Sequence, residues 1–293
     1  MIADMRAQAA EPTRPTVGIL GIPYDAESSF LRGAAAAPPL IRAALWSPAS
    51  NTWSETGVDL AAVGAIVDAG DLELADPDDR SSGTRDAITA AIGALLNRGE
   101  RPLIFGGDHS ITYPVLRAVR AHHPRLSILH VDAHPDLYDT FEGDRYSHAC
   151  PFARILEDGL VDRLVQVGIR GMNGHQRAQA ERFGVEVVDM RAIHAAPDSL
   201  AQISFTMPVY LSLDLDGLDP GFAPGVAHRE PGGLSVRQVL ALIQGLARRP
   251  DAPVIGADIV EYNPTRDPEG LTATVAAKLA KEMATVMLGE PGA

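Results

Sequence analysis

Leu126-Ser-Ile-Leu-His-Val131, running into Asp132-Ala-His134-Pro-Asp136, is the stretch from which the fold of this chain is read. The first six residues are an apolar run of strand length, and the strand ends in acidic and imidazole side chains. If the extended backbone continues past Val131, residues spaced by two share a face, and Asp132, His134 and Asp136 converge on one point. The same arrangement recurs at Val209-Tyr-Leu-Ser-Leu213, which runs into Asp214 and Asp216. A third apolar run, Leu103 to Phe105, leads through Gly106, Gly107 and Asp108 to His109 at the mouth of an expected helix. The paired glycines permit a sharp turn there.

Further strands are expected at Thr16 to Ile22, Leu164 to Gly168, Val185 to Val188 and Val254 to Val260. Helical periods lie between them. A short helix is expected at Pro39 to Trp46. Another starts at Ser235, where Ser-Val-Arg-Gln offers a capping box and Val236, Val239, Leu240 and Ile243 form an apolar stripe. Leu271, Val275, Leu279 and Met283 recur every four residues and predict a closing helix. Ala69 to Ser82, rich in Asp, Pro and Ser, reads as a surface loop. This β/α alternation implies long crossovers and therefore parallel strands. The expected class is α/β: a three-layer α/β/α architecture with an open, mostly parallel sheet and ligands at the C-terminal ends of strands. An eight-stranded barrel is the second choice. Residues 1–15 are expected to be a flexible N-terminal segment, and 16–293 one domain.

The chain of 293 residues carries 25 Lys plus Arg against 38 Asp plus Glu, a formal charge of −13. That is a poor footprint for nucleic acid or anionic lipid, so neither is expected as a partner. Cys150 is the only cysteine, which precludes an intrachain disulfide and suits a reducing compartment. With no signal-peptide or membrane-spanning pattern, a cytoplasmic protein is expected.

Four aspartates and two histidines exceed what one tetrahedral zinc site needs, so two metals are the economical reading. Oxygen-dominated ligation with imidazole suits Mn²⁺, with Co²⁺, Ni²⁺ and Zn²⁺ as alternatives. A pair of divalent ions about 3.5 to 4 Å apart can activate a bridging water for hydrolysis. Other readings remain beside this one. His148 and Cys150 lie two apart and could suggest a base and nucleophile, although a packed thiol is the simpler reading. His130, two before Asp132, is either a support for the site or part of the core. His228, in Pro224-Gly-Val-Ala-His-Arg-Glu-Pro231, lies in a loop that could line a substrate mouth. Asp219 reads as a loop-fixing residue.

Gly-Gly-Asp-His-Ser at 106–110, Asp-Ala-His-Pro-Asp at 132–136 and Ser-Leu-Asp-Leu-Asp-Gly-Leu-Asp-Pro at 212–220 resemble, in order and spacing, the three signatures of the ureohydrolases, the arginase and agmatinase family. Ser28-Ser-Phe-Leu, Tyr138-Asp-Thr-Phe-Glu-Gly-Asp-Arg-Tyr-Ser-His148, Arg229-Glu-Pro-Gly-Gly-Leu-Ser235 and Val260-Glu261-Tyr-Asn-Pro264 extend the resemblance, which is closest to plant-type arginases. It implies that His109, Asp132, Asp136 and Asp214 hold one manganese and that Asp132, His134, Asp214 and Asp216 hold the other. It also implies hydrolysis of a guanidino C–N bond, foremost arginine to ornithine plus urea. Agmatine, another guanidino acid or a formimino compound is the alternative substrate. Glu261 corresponds to the glutamate that orients the guanidinium and His148 to a mobile-loop proton shuttle; with Asp136 they form the expected catalytic group. A homo-trimer or homo-hexamer follows by the same resemblance.

Two departures bear on the substrate. Tyr138 stands where animal-type arginases place an asparagine that contacts the amino-acid end. Asn173 follows Gly168-Ile-Arg170 where those enzymes have an aspartate for the α-amino group; it can accept a hydrogen bond but carries no charge, and with Tyr138 and His228 it is an expected substrate contact. Deacetylases, with one zinc, and a binding-only descendant are the competing classes; the first lacks the Gly-Gly-Asp-His ligand.

Overall fold

In the computed structural model, which describes residues 15–247 and 251–289, the apolar runs form one parallel sheet. The expected flexible segment, 1–15, lies outside the described residues except for Pro15. The elements alternate as the sequence requires. In chain order they are β1 (Thr16–Ile22), α1 (Ala37–Leu45), β2 (Ile66–Asp71), α2 (Ser82–Asn97), β3 (Glu100–Gly106), α3 (Thr112–His122), β4 (Ser127–Val131) and α4 (Pro151–Glu157). Then come β5 (Arg163–Val167), α5 (Gly174–Phe183), β6 (Glu186–Val188), α6 (Met190–Ala195), α7 (Ser199–Gln202), β7 (Val209–Asp214), α8 (Val236–Leu246), β8 (Val254–Val260) and α9 (Leu271–Leu288).

The strands lie in the order β2-β1-β3-β8-β7-β4-β5-β6. All pairings are parallel. The sheet is therefore open, with β2 and β6 as edges, and the barrel reading is wrong. Alternation along each strand feeds two apolar layers. In β4, Leu129 and Val131 join the layer that contains Ile41 of α1, Val239 of α8 and Met283 of α9. Ile128 joins the opposite layer, with Ile92 of α2, Val115 of α3 and Phe152 of α4. Burial on both faces explains why the central strands are continuous apolar runs in the sequence.

Two expectations need correction. Ala69 to Asp71, read as loop, belong to β2. As an edge strand, β2 exposes most of its residues, Val67 included, so it carries no apolar run to announce it. Leu271 begins α9 but is 45% exposed, whereas Thr272, Ala273, Ala276, Leu279, Ala280 and Met283 are buried; the stripe that docks the helix starts in the first turn, one residue on from the expected leucine. The Ser235 capping box forms as expected, with Ser235 accepting from the Gln238 N–H and the Gln238 side chain accepting from Ser235. No helix among the described residues is long and apolar enough to cross a membrane.

Register places the site. Val131 pairs with Leu213, Leu213 with Ile259, and Ile259 with Phe105. The four central strands β3, β8, β7 and β4 thus end at one level, and the residues just beyond them stand side by side although up to about 150 positions separate them in sequence.

Candidate metal centre

His109 sits at the start of a 3₁₀ turn, His109–Ile111, capped by the Asp108 side chain. Its ring is buried, and its two nitrogens meet different surroundings. Nε2 lies 3.0 Å from Ser212 Oγ, and that hydroxyl donates to Asp258 Oδ1 at 2.7 Å. With its own proton given to Asp258, Ser212 accepts the His109 Nε2–H, so the neutral ring leaves a lone pair at Nδ1. That lone pair faces Asp132 Oδ2 at 3.2 Å, Asp136 Oδ2 at 3.1 Å and Asp214 Oδ2 at 3.2 Å, with no well-formed hydrogen bond. Four electron-rich atoms converge on one point. A buried cluster of this kind calls for protons or a cation at its centre.

A second group adjoins the first. His134 Nδ1 lies 3.1 Å from Asp216 Oδ2 and 3.7 Å from Asp132 Oδ1. Asp132, His134 and Asp216 have ligand atoms close enough to share an ion. Asp132 thus faces both groups, and Asp214 adjoins Asp216, whose N–H it accepts at 2.8 Å. His109, His130 and Asp132 satisfy the same proximity test. His130 is nonetheless committed: Gln166 Nε2 donates to its Nδ1 at 3.0 Å, and its Nε2–H donates to Asp132 Oδ2 at 2.7 Å. A carboxylate steadied by a neutral histidine is the usual outer support of a metal ligand. The ring also stacks on Phe152 at 3.9 Å, so both readings of His130 hold.

Electrostatics tell the same story. Burial, followed by neighbouring carboxylates, pushes Asp132 up to about 7 and raises Asp136 and Asp214. Burial drives His130 well below its ordinary value and keeps it neutral. Burial opposes a charge on His134 and His109, but the surrounding carboxylates raise both, His134 to about 11, so each Nδ1 competes for a proton that a cation between the carboxylates would replace. The donor set is carboxylate-rich with two imidazoles, which fits hard to borderline divalent cations.

The approach to the cluster differs from the simple picture of an extended strand. β4 stops at Val131, and Asp136 has φ 50°, a left-handed conformation costly for a non-glycine residue. The bend sends His134 toward Asp216 and Asp136 toward His109, so the three residues divide between two groups instead of meeting at one point. Gly171 is required beside it: a Cβ there would stand 2.6 Å from His134 Cδ2. Gly107 is required too, since its Cβ would meet Tyr24 O at 1.7 Å.

Glu261, also left-handed at φ 62°, follows β8 and is nearly buried. Its Oε1 accepts from the His109 N–H at 2.9 Å and from His148 Nδ1 at 2.8 Å. No donor among the described residues is assigned to Oε2. His148 Nε2 lies 2.8 Å from Ser29 Oγ, which explains the Ser-Ser-Phe-Leu segment. Burial works against the imidazolium, but Glu261 outweighs it and lifts His148 to about 9. The same imidazole holds Glu261 below its ordinary value against burial. The Ser29 N–H also points at His148 Nε2, at 3.2 Å, so Nε2 has both the amide and the hydroxyl of Ser29 as partners.

A cleft of about 150 Å³ opens over these residues, lined by Ser29, His134, Asp136, Tyr138, His148 and His228 among others. A larger cavity, about 580 Å³, lies elsewhere along α5 and β6, but no cluster of acid and imidazole groups converges on it. His228 lines the mouth, its ring 5.3 Å from that of His148. Asn173 is drawn away from the expected role: its Oδ1 caps α5 by accepting from the Gln176 N–H, and its Nδ2 donates to Tyr138 Oη at 2.7 Å. Asp219 fixes its loop by accepting from the N–H groups of Gly221, Gly232 and Gly233. Cys150 is buried and approaches Asp144 O, not a base.

Residues 15–285 match the family model described as Arginase family. This chain belongs to the arginase family. It is 46% identical over 284 residues to arginase 1, mitochondrial, from Arabidopsis thaliana, covering 92% of this chain and 81% of that one. An arginase structure from Medicago truncatula superposes with a TM-score of 0.86 at 42% identity, over 94% of this chain and 88% of that chain. An agmatinase from Neisseria meningitidis is more distant, at 35% identity over 90% of this chain and 85% of its own. The expectation of a cytoplasmic protein is corrected by these relatives, since plant members of the family bear mitochondrial or chloroplastic names. A lone cysteine reports thiol chemistry and carries no address.

Four supports went unrecognised in the sequence: Ser212, Asp258, Gln166 and Arg170. Each of the first three is a polar residue inside an apolar strand, and that interruption was the available signal.

Proposed function

We propose that this chain hydrolyses the guanidino C–N bond of arginine, giving ornithine and urea, at a centre for two divalent metal ions, manganese foremost. His109, Asp132, Asp136 and Asp214 would hold one ion, and Asp132, His134, Asp214 and Asp216 the other, with Asp132 and Asp214 shared. The observation that carries the reading is the His109 Nδ1 lone pair facing three buried carboxylates beside the His134–Asp216 group. The identity to a plant arginase over 92% of the chain selects arginine among guanidino compounds. Bound ions supply Lewis acidity and a water acidified toward neutral pH.

The protein's own groups do the rest. Glu261 presents an ionised carboxylate to the planar guanidinium, with its backbone held by Gly107 O at 2.9 Å. His148, held between Glu261 and Ser29, would pass a proton to the departing amine. Asp136 joins the ligand group to the cleft that both line. Residues 16–293 would act as one ureohydrolase domain, and copies would assemble as trimers or hexamers, which light scattering in solution tests.

Agmatine is the second reading, and one observation favours it: among the described residues no lysine or arginine lines the cleft, so nothing there asks for the carboxylate that arginine has and agmatine lacks. A product-release screen over arginine, agmatine, guanidinobutyrate and formiminoglutamate, at equal loading with each of Mn²⁺, Co²⁺, Ni²⁺ and Zn²⁺, tests both. Arginine with manganese is expected to give the highest kcat/KM. A preference for agmatine replaces the substrate and keeps the chemistry; one ion per chain, or no turnover of any compound, refutes the reading.

A further inference from the structure

Resting on the guanidino-hydrolase reading, we propose that Glu230 is a specificity-determining residue: its carboxylate anchors the ammonium group at the far end of the substrate from the reacting carbon. The two ring nitrogens of His134 face opposite ways. Nδ1 looks inward to Asp216, and Nε2 looks outward, 3.8 Å from Glu230 Oε1. Glu230 therefore stands one imidazole's width outside the candidate metal centre. That separation suits the ligand, because in arginine and in agmatine the amine nitrogen lies six bonds beyond the guanidinium carbon, up to about 7.5 Å in an extended chain at single-bond lengths near 1.5 Å.

The charge is available and its backbone is fixed. The Glu230 side chain is 45% exposed, and among the described residues no lysine or arginine pairs with it. Neighbouring Arg229 turns away to Pro224 O and Arg266 O. The backbone beneath Glu230 is held firmly. Arg170 donates to its carbonyl oxygen from Nε at 2.9 Å and Nη2 at 2.6 Å, and the same guanidinium binds the carbonyls of Gly168, Asp216, Gly217 and Leu218. Asp219 pins Gly232 and Gly233 just beyond. The loop that carries Glu230 is thus tied to the second aspartate motif through one half-buried fork that holds its backbone, while the carboxylate itself has only His134 Nε2 nearby. His228, on the same loop, lines the cleft mouth. Asn173, the residue expected to read the amino end, is occupied as a helix cap and by Tyr138. Glu230 is the charge left to do it.

The test compares wild type with Glu230→Gln in the metal-loaded enzyme. KM for arginine and for agmatine should rise at least about tenfold, the worth of one charge-assisted hydrogen bond, with kcat little changed. Guanidinobutyrate, which has no amine, should keep its KM or its inhibition constant. Ornithine, which has the same amine and no guanidinium, should bind more weakly to the variant by calorimetry. If Glu230 instead only steadies His134, metal occupancy and kcat fall for every substrate alike, and the proposal is overturned. An active wild type whose KM ignores the substitution overturns it as well and leaves the hydrolase standing. An inactive wild type that binds ornithine through Glu230 overturns the hydrolase and leaves the amine site.

Discussion

A histidine whose Nδ1 faces three carboxylate oxygens at 3.1–3.2 Å is the residue-level fact from which the chemistry follows. Asp132 is the member common to both groups, so its charge is the hardest to replace. Asp132→Asn should lower bound metal from two ions per chain and reduce turnover at least about 100-fold, more than the loss typical of outer supports. Metal analysis of the purified variant alongside urea release checks this, and two ions with normal rates would sink it. Cys150 makes a contrasting prediction. Burial pushes its thiol up to about 12, and the side chain is fully enclosed. Alkylation at pH 8 should therefore be slow in the native protein and fast once urea exposes the thiol; a native rate matching a free cysteine would reopen the nucleophile reading. The six ligand candidates were legible because each follows an apolar strand. Asp258 and Gln166 were not, since a polar residue inside a strand shows its purpose only when its partner, Ser212 or His130, arrives from another strand.

Elements bring these residues together, and helices hold the elements in place. α8 and α9 cover one face of the sheet, and Glu55, from the long connection between α1 and β2, links them. It accepts from Arg237 of α8 and lies 3.3 Å from Lys278 of α9. Arg237 above all, with Gln244, holds the Glu55 carboxyl down at about 2. A carboxylate lowered in the folded state stabilises above its unfolded value, about 4.5, and that stabilisation is lost as pH falls through the folded value. With the side chain one-third exposed, solvent screening limits the contribution to about 1 kcal/mol. Glu55→Gln should thus lower stability by up to that amount at pH 7 and by progressively less as pH falls from about 4.5 toward 2. Urea denaturation across that range measures it, and a constant penalty would place the effect in packing. Most elements were readable from apolar runs, caps and periods. β2 was not, because an edge strand facing water needs no apolar residues.

At the scale of the whole molecule, the open sheet concentrates its four central strand ends on one crevice, the position where such sheets bind ligands. A cluster of buried carboxylates at that crevice would be stabilised by any cations bound there. Ligand binding stabilises the native state by about 4 kcal/mol per site at a thousandfold excess over Kd. Chelation should lower Tm by on the order of 10 °C, and returning Mn²⁺ should restore it. A Tm indifferent to chelation, with metal loss confirmed, would show that the cluster tolerates its own charge and holds no structural cation.

By itself the sequence determined the α/β class, the family and the six candidate ligands, because apolar strands and the polar residues that end them are local patterns. Only the tertiary structure decided how Asp132, His134 and Asp136 divide between two groups, that Asn173 is spent on a helix cap, and that Glu230 stands beside the outer nitrogen of His134. Those outcomes depend on strand register, on a left-handed bend at Asp136 and on the Arg170 fork, each of which joins residues far apart in the chain.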